Sequence, residues 1–256
     1  MNIQSLLGLP DVLAVKKVVA VQPHPDDIEV NIAGTLLQLH RNGCEIVFVT
    51  VTDGRAGAWG DVQDADEIVR VRETERIEAG KRLGVHKHIT LGFPDGGEYS
   101  VSDVTAKLVT VFREEKPELV FSVDPWMPYE AHPDHVKVGQ AVSQAVLFAN
   151  NAILHPVVSA APFQVPQIAF YATSYPNRLV ELTEEDFQHK LNAILTHRSQ
   201  FDNEMWPFIQ QYFAVAAKEA YQAVHKDDNV SSEGYAEPLK VLSHLQLHSI
   251  PSTLYS

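Results

Sequence analysis

Residues 17–30 read KVVAVQPHPDDIEV. Lys17 to Gln22 is a short valine-rich run without polar alternation, the pattern of a strand buried on both faces. It stops abruptly at Pro23-His24-Pro25-Asp26-Asp27. An amphipathic segment follows from about Ile28 to Arg41 and is closed by Asn42-Gly43, which reads as a helix with a glycine stop. A buried strand, a polar turn and a helix in this order make the first half of a βαβ unit.

The same alternation continues along the chain. Glu45 to Thr52 predicts a second strand, ending in Asp53-Gly54-Arg55-Ala56-Gly57. Ala65 to Leu83 predicts a charged helix stopped by Gly84. His88 to Phe93 is a third strand before Pro94-Asp95-Gly96-Gly97. Val101 to Glu115 is helical, Leu119 to Val123 is a fourth strand, and a helix runs from about His135 to Asn150. This spacing predicts an α/β fold, Rossmann-like, with a mostly parallel sheet flanked by helices on both faces. The polar residues gather where strands end, and sites lie there in open α/β sheets.

The pattern loosens from Ala149 to Pro166. Ile168–Thr173, Arg178–Leu182 and Lys240–Leu247 read as further strands. Glu184–Arg198 and much of Met205–Val224 read as helices, and His225–Glu237 as a loop. No repeat or linker is visible, so one domain over residues 1–256 is expected.

Composition narrows the function. Asp and Glu number 33 against 20 Lys and Arg, a formal charge of −13. Such a surface repels phosphate backbones, so no nucleic-acid partner is expected. The one cysteine, Cys44, permits no intrachain disulfide and suits a reducing compartment. No signal peptide is recognisable at the start, and no stretch approaches the ~20 apolar residues that span a bilayer. A cytoplasmic protein without membrane contact is expected.

Two tetrapeptides carry the chemistry. His24-Pro25-Asp26-Asp27 and His132-Pro133-Asp134-His135 both lie between a strand and a helix. One such segment caps a helix often enough; two at corresponding places point to a shared site. Two imidazoles and a carboxylate form a facial metal set that leaves a position for water. His24 and Asp27, three apart at a helix start, can face one ion, and His135 would supply the third ligand. Asp26 is then placed as the general base, and His132 as a donor to a tetrahedral oxyanion. Asp134 either orients His132 or is a plain N-cap.

On these residues the chain resembles the LmbE-like (PIG-L) zinc deacetylases of N-acetylated amino sugars. The resemblance covers most of the chain: PHPDD at 23–27, AGT at 33–35, TDG at 52–54, Arg72 with Glu75, FPDG at 93–96, AHPDH at 131–135 and K-x-x-A-I-L-x-H-R-S-Q at 190–200. DPWMPYEAHPDH at 124–135, and HRSQF followed by Trp206, look most like the diacetylchitobiose deacetylase branch. The resemblance implies one zinc per chain at His24, Asp27 and His135, with Asp26 as base. It implies that Arg72 and Asp95 touch the sugar, and that the chain forms a homo-oligomer, a trimer or hexamer. Without it, Arg72 and Glu75 would read as an exposed helical ion pair. His244 matches a C-terminal histidine lining the site in the chitobiose branch, or is simply a histidine on a late strand. Two departures stand out: Ala33 where many relatives have glycine, and Arg55 after the TDG turn, which could clamp a substrate oxygen or acidic group. Trp59, Trp126 and Tyr129 lie in the expected site loops, where sugar rings stack.

The implied reaction removes the N-acetyl group from an N-acetylglucosamine-type sugar, such as N-acetylglucosamine or N,N'-diacetylchitobiose. The alternative is a metal-dependent lyase or hydratase acting on a small carboxylate, with Arg55 as anchor. A nucleotide-binding module is excluded, since no GxGxxG or GxxxxGK[ST] follows any strand.

Overall fold

The computed structural model describes residues 3–57, 64–155, 160–225 and 234–250. Its elements run in chain order: α1 (Ile3–Leu6), a 3-10 turn (Val12–Ala14), β1 (Lys17–Gln22), α2 (Asp27–Arg41), β2 (Glu45–Thr52), α3 (Ala65–Arg82), β3 (Lys87–Phe93), α4 (Val101–Glu115), β4 (Leu119–Val123), α5 (Pro133–Phe148), β5 (Gln167–Tyr171), β6 (Arg178–Leu182), α6 (Glu184–Ile194), α7 (Arg198–Phe201), α8 (Trp206–Val224) and β7 (Tyr235–Ser243).

The seven strands form one sheet in the order β3-β2-β1-β4-β5-β7-β6. β3, β2, β1, β4 and β5 are parallel, and β7 runs antiparallel to both its neighbours. β1 shows why its sequence lacks alternation. Val18 and Ala20 pack into the core on one face of the sheet, with Ile28, Ile32 and Leu36 of α2. Val19 and Val21 pack into the core on the other face, with Leu108 of α4 and Val142 of α5. The chain winds from β1 towards β3 on one side and from β4 towards β5 on the other. The carboxyl ends of β1 and β4 therefore flank the switch point, where α/β sheets open a crevice.

The expected elements are present, with shifts of a few residues at their ends. The last strand differs most: it starts at Tyr235, not Lys240. Tyr235 to Glu237 fall in the polar stretch that reads as loop, yet Glu237 is buried for a reason given below. The helix expected over Glu184–Arg198 ends at Ile194, and α7 resumes at Arg198. Trp59 lies outside the described residues.

Candidate metal centre

His24 and Asp27 sit at the end of β1 and the start of α2. The N-terminal turn of α2 is built by unusual means. Asp26, its N-cap, makes no capping bond and takes φ 121°, ψ −25°, a region costly for any residue with a Cβ. Gln22 does the capping, its Oε1 accepting from the Ile28 amide at 3.1 Å. Arg72 of α3, 3% exposed, holds the strained turn. Its Nη2 donates to the Pro25 carbonyl at 2.7 Å and to Asp26 Oδ2 at 3.1 Å, and its Nη1 donates to the Gly54 carbonyl at 3.0 Å. The exposed Arg72–Glu75 pair that spacing alone suggests does not form. Glu75 instead accepts from the Ser199 amide and hydroxyl at 2.8 and 2.6 Å.

The second half of the centre comes from the loop after β4 and from α5. His132 is the N-cap of α5 and Pro133 its first residue, a position that suits proline. His24, His132 and His135 bring ring nitrogens within 4.8 Å of one another. Asp27 joins them, with Oδ2 3.3 Å from His24 Nδ1 and Oδ1 3.4 Å from His135 Nε2. His24, His132 and His135 thus form a group that could hold a divalent ion, and Asp27 touches two of them through different carboxylate oxygens; imidazole and carboxylate are the donors such an ion takes.

The outer contacts fit as well. His24 Nε2 lies 3.2 Å from both Asp134 Oδ2 and Asp95 Oδ1. Carboxylates only accept, so Nε2 carries a proton held by Asp134 and Asp95, while Nδ1 faces Asp27. His135 Nδ1 lies 2.9 Å from Glu130 Oε2, which turns its Nε2 inward in the same way. Burial opposes a charge on His24, but Asp134, Asp27 and Asp95 push its pKa up to about 12. Burial likewise opposes ionisation of Asp27, and its hydrogen bonds to His135 and His24 hold it far below the ordinary carboxylate range. This is the field of a cation site.

Asp26 differs from its neighbour. Burial raises its carboxyl to about 6, Arg72 pulls against that, and the charge of Asp27 adds to it. His132 Nδ1 accepts from the Asp134 amide at 3.3 Å, so in the neutral ring the proton sits on Nε2. Burial and the nearby His24 and His135 lower its pKa, keeping that tautomer.

Asp134 orients His24, not His132. Its buried carboxylate also accepts from the Gly96 amide and the Tyr99 hydroxyl, both at 2.7 Å. Asp95 is buried against His24, and its Oδ2 accepts from the Ala56 amide at 3.1 Å. Arg55 stands exposed at the rim, its Nε donating to Asp53 Oδ2 at 2.8 Å. Trp126 packs edge-on against Phe170 with ring centroids 5.7 Å apart. Tyr129 is fully exposed on the same loop.

His244 is not brought to this centre. It follows Ser243, which pairs with Gln167 at the amino end of β5, and its amide donates to the Pro166 carbonyl at 3.1 Å. The centre lies at the carboxyl end, about 13 Å of strand away. Antiparallel β7 carries its last residues to the wrong edge.

Glu130 and Tyr99 were missed by sequence reasoning. Glu130 had a signal, a carboxylate five residues before a candidate ligand in the same loop. Tyr99 had none.

Comparison with known proteins bears on this geometry. A diacetylchitobiose deacetylase from Thermococcus kodakarensis is 33% identical over 242 residues, covering 93% of this chain and 87% of that one. A probable N-acetyl-alpha-D-glucosaminyl L-malate deacetylase from Bacillus anthracis is 27% identical, over 77% of this chain and 87% of that one. The solved N,N'-diacetylchitobiose deacetylase of Pyrococcus horikoshii superposes with a TM-score of 0.85 at 30% identity, covering 99% and 97% of the two chains. Residues 19–146, which span both histidine-bearing segments, match the GlcNAc-PI de-N-acetylase (PIG-L) family. With this fold and relatives alike over nearly their whole length, the chain belongs to the PIG-L family of de-N-acetylases.

Proposed function

We propose that this protein is a zinc-dependent hydrolase, one domain and one ion per chain, that removes the acetyl group from an N-acetylglucosamine-type sugar. One observation carries the reading: the ring nitrogens of His24, His132 and His135 lie together, Asp27 touches His24 and His135, and beside them burial raises the carboxyl of Asp26. His24 through Nδ1, Asp27, and His135 through Nε2 would hold the ion. A divalent ion there supplies a Lewis acid and lowers the pKa of water towards ~7.

The chain's own residues do the rest. Asp26 takes a proton from the water that attacks the amide carbon. Arg72 keeps its carboxylate in place. His132 donates from Nε2 to the amide oxygen as it becomes negative. Asp26 then returns the proton to the nitrogen as the C–N bond breaks, and acetate and free amine leave. His244 has no part in this scheme, because it lies at the other edge of the sheet.

The lyase or hydratase alternative needs a guanidinium free to anchor a carboxylate. Arg55 is already paired with Asp53, which favours the deacetylase. A homo-oligomer, trimer or hexamer, is supported by α8, where Phe208, Tyr212 and Val215 form one exposed apolar stripe. No helix among the described residues is long and apolar enough to cross a membrane; the acidic composition and lone cysteine support a cytoplasmic location. A panel of N-acetyl sugars, scored for acetate released by the zinc-loaded protein, tests the reading. Acetate from an N-acetylglucosamine-type sugar supports it, and acetate from none overturns it.

A further inference from the structure

His197-Arg198-Ser199-Gln200, the segment that opens α7, has no part in the scheme above, yet its side chains reach three separate parts of the chain. His197 is completely buried, with Nε2 3.4 Å from Oε1 of the equally buried Glu29 in the first turn of α2. The Ser199 amide and hydroxyl both donate to Glu75, one turn after Arg72 on α3. Gln200 Nε2 donates to the Gly57 carbonyl at 2.9 Å, in the loop after β2. The start of α2, α3 and this loop are the segments that meet at Arg72.

From Gln200 a series of hydrogen bonds leads to Asp26. The Gly57 amide donates to the Gly54 carbonyl at 3.1 Å. The same carbonyl accepts from Arg72 Nη1 at 3.0 Å, and Arg72 Nη2 donates to Asp26 Oδ2 at 3.1 Å. The loop backbone also lies close against the guanidinium, since a Cβ on Gly57 would overlap Arg72 Nη1 and come 3.1 Å from Gln200 Oε1. Arg72 Nε is buried without a hydrogen-bond partner among the described residues. The aim of this long side chain is therefore set by its two Nη groups and by the walls around it. A group that must sit within about 0.5 Å of its working position needs such walls to be held in turn.

We propose that His197, Ser199 and Gln200 are positioning residues for the reaction: they hold α2, α3 and the loop after β2 around Arg72, and through Arg72 they aim the Asp26 carboxylate at the attacking water. The proposal rests on the reading of Asp26 as the base and extends it to residues that touch neither metal nor substrate.

A double-mutant cycle tests it. Gln200→Met keeps the length of the side chain and removes the donor. With metal-loaded protein and N,N'-diacetylchitobiose it should lower kcat about tenfold, with KM and metal content close to wild type. Ser199→Ala should act in the same sense, and Ser199→Thr, which keeps the hydroxyl, should retain most of kcat. Ser199 and Gln200 are half-buried, so these variants should fold. In an Arg72→Lys background, which lacks the fork that joins Pro25, Gly54 and Asp26, Gln200→Met should change kcat by less than about twofold. Equal losses in the two backgrounds overturn the proposal, because Gln200 would then act independently of Arg72. A lower Tm with wild-type kcat per folded molecule also overturns it, because the segment would then serve only stability. If Arg72→Lys does not fold, NMR on the single variant decides. The Arg72 Nε–H should exchange with water about tenfold faster in Gln200→Met than in the wild type, and an unchanged rate overturns the proposal. This measurement needs no turnover. Faster exchange, with no acetate from any sugar even in the wild type, would sink the deacetylase reading and leave the bracing of Arg72 standing.

Discussion

Asp26 concentrates the chemistry in one residue. It holds φ 121°, a strain that Arg72 and Gln22 stabilise from either side. Asp26→Asn keeps the size and the bonds to Arg72 but cannot accept the proton. It should retain stoichiometric metal and lose about 10²–10⁴-fold in kcat. Metal loss in that variant, measured by elemental analysis, would mean that Asp26 is a ligand. The backbone makes a separate prediction. Asp26→Gly should melt above Asp26→Ala, with a difference of about 1–2 kcal/mol, because only glycine takes this φ without cost. His132→Ala should lower kcat by about 10²–10³-fold with little change in KM and with the metal retained. A normal kcat at full metal loading would remove His132 from the mechanism. The histidines and aspartates of this site were legible because local spacing fixes them: three residues within one helical turn, twice. Their partners were not. The bond from Asp134 to His24 spans 110 residues, and the carboxylate could equally have been a cap.

At the scale of elements, α2 is two helices joined at Ile32, where φ is −133° and ψ 18°. The break exposes the amides of Gly34 and Thr35, and Glu237 of β7 accepts from both, at 3.0 and 2.7 Å. The Thr35 hydroxyl donates to it as well, at 2.7 Å. Lys190 of α6 joins Glu237 at 2.7 Å and donates to the Asn31 carbonyl at 3.1 Å. Gly34 gives Leu182 room, since a Cβ there would lie 2.5 Å from Leu182 Cδ1 and the leucine would have to move. The AGT and K-x-x-A segments therefore brace α2, the helix that carries Asp27 at its start. Glu237→Ala strands Lys190 in the interior and should cost about 3–5 kcal/mol in denaturant unfolding. The double variant Glu237→Leu, Lys190→Met should cost less than Glu237→Ala alone; an equal or larger cost would contradict a paired role. This network also explains why β7 was misplaced in the sequence. A buried glutamate before a proline reads as loop unless its distant partners are known. β1 to β5 were legible because their runs are apolar and their turns polar.

Across the whole molecule, the sheet sorts its charges by edge. The carboxyl edge holds the metal centre. At the other edge, Glu115 binds Lys17 at 3.0 Å and also pairs with Lys87. Burial raises the Glu115 carboxyl, but Lys87 and Lys17 lower it further, so its folded pKa lies below the ordinary value. Its contribution to stability is therefore full above the unfolded pKa of about 4.3 and is lost as pH falls through the folded value. Urea midpoints measured from pH 6 down to pH 3 should drop less steeply in Glu115→Gln than in the wild type. Parallel slopes would show that the cluster contributes nothing. The direction of β7, which takes His244 to this lower edge, depends on how the last strand enters the sheet and could not be read from a motif. The whole account rests on metal-assisted deacetylation, and acetate release before and after exhaustive chelation tests it most directly. Acetate and free amine should form in equal amounts from an N-acetylglucosamine-type sugar, cease on chelation and return with added zinc. Acetate release that persists in the fully chelated protein would contradict the account.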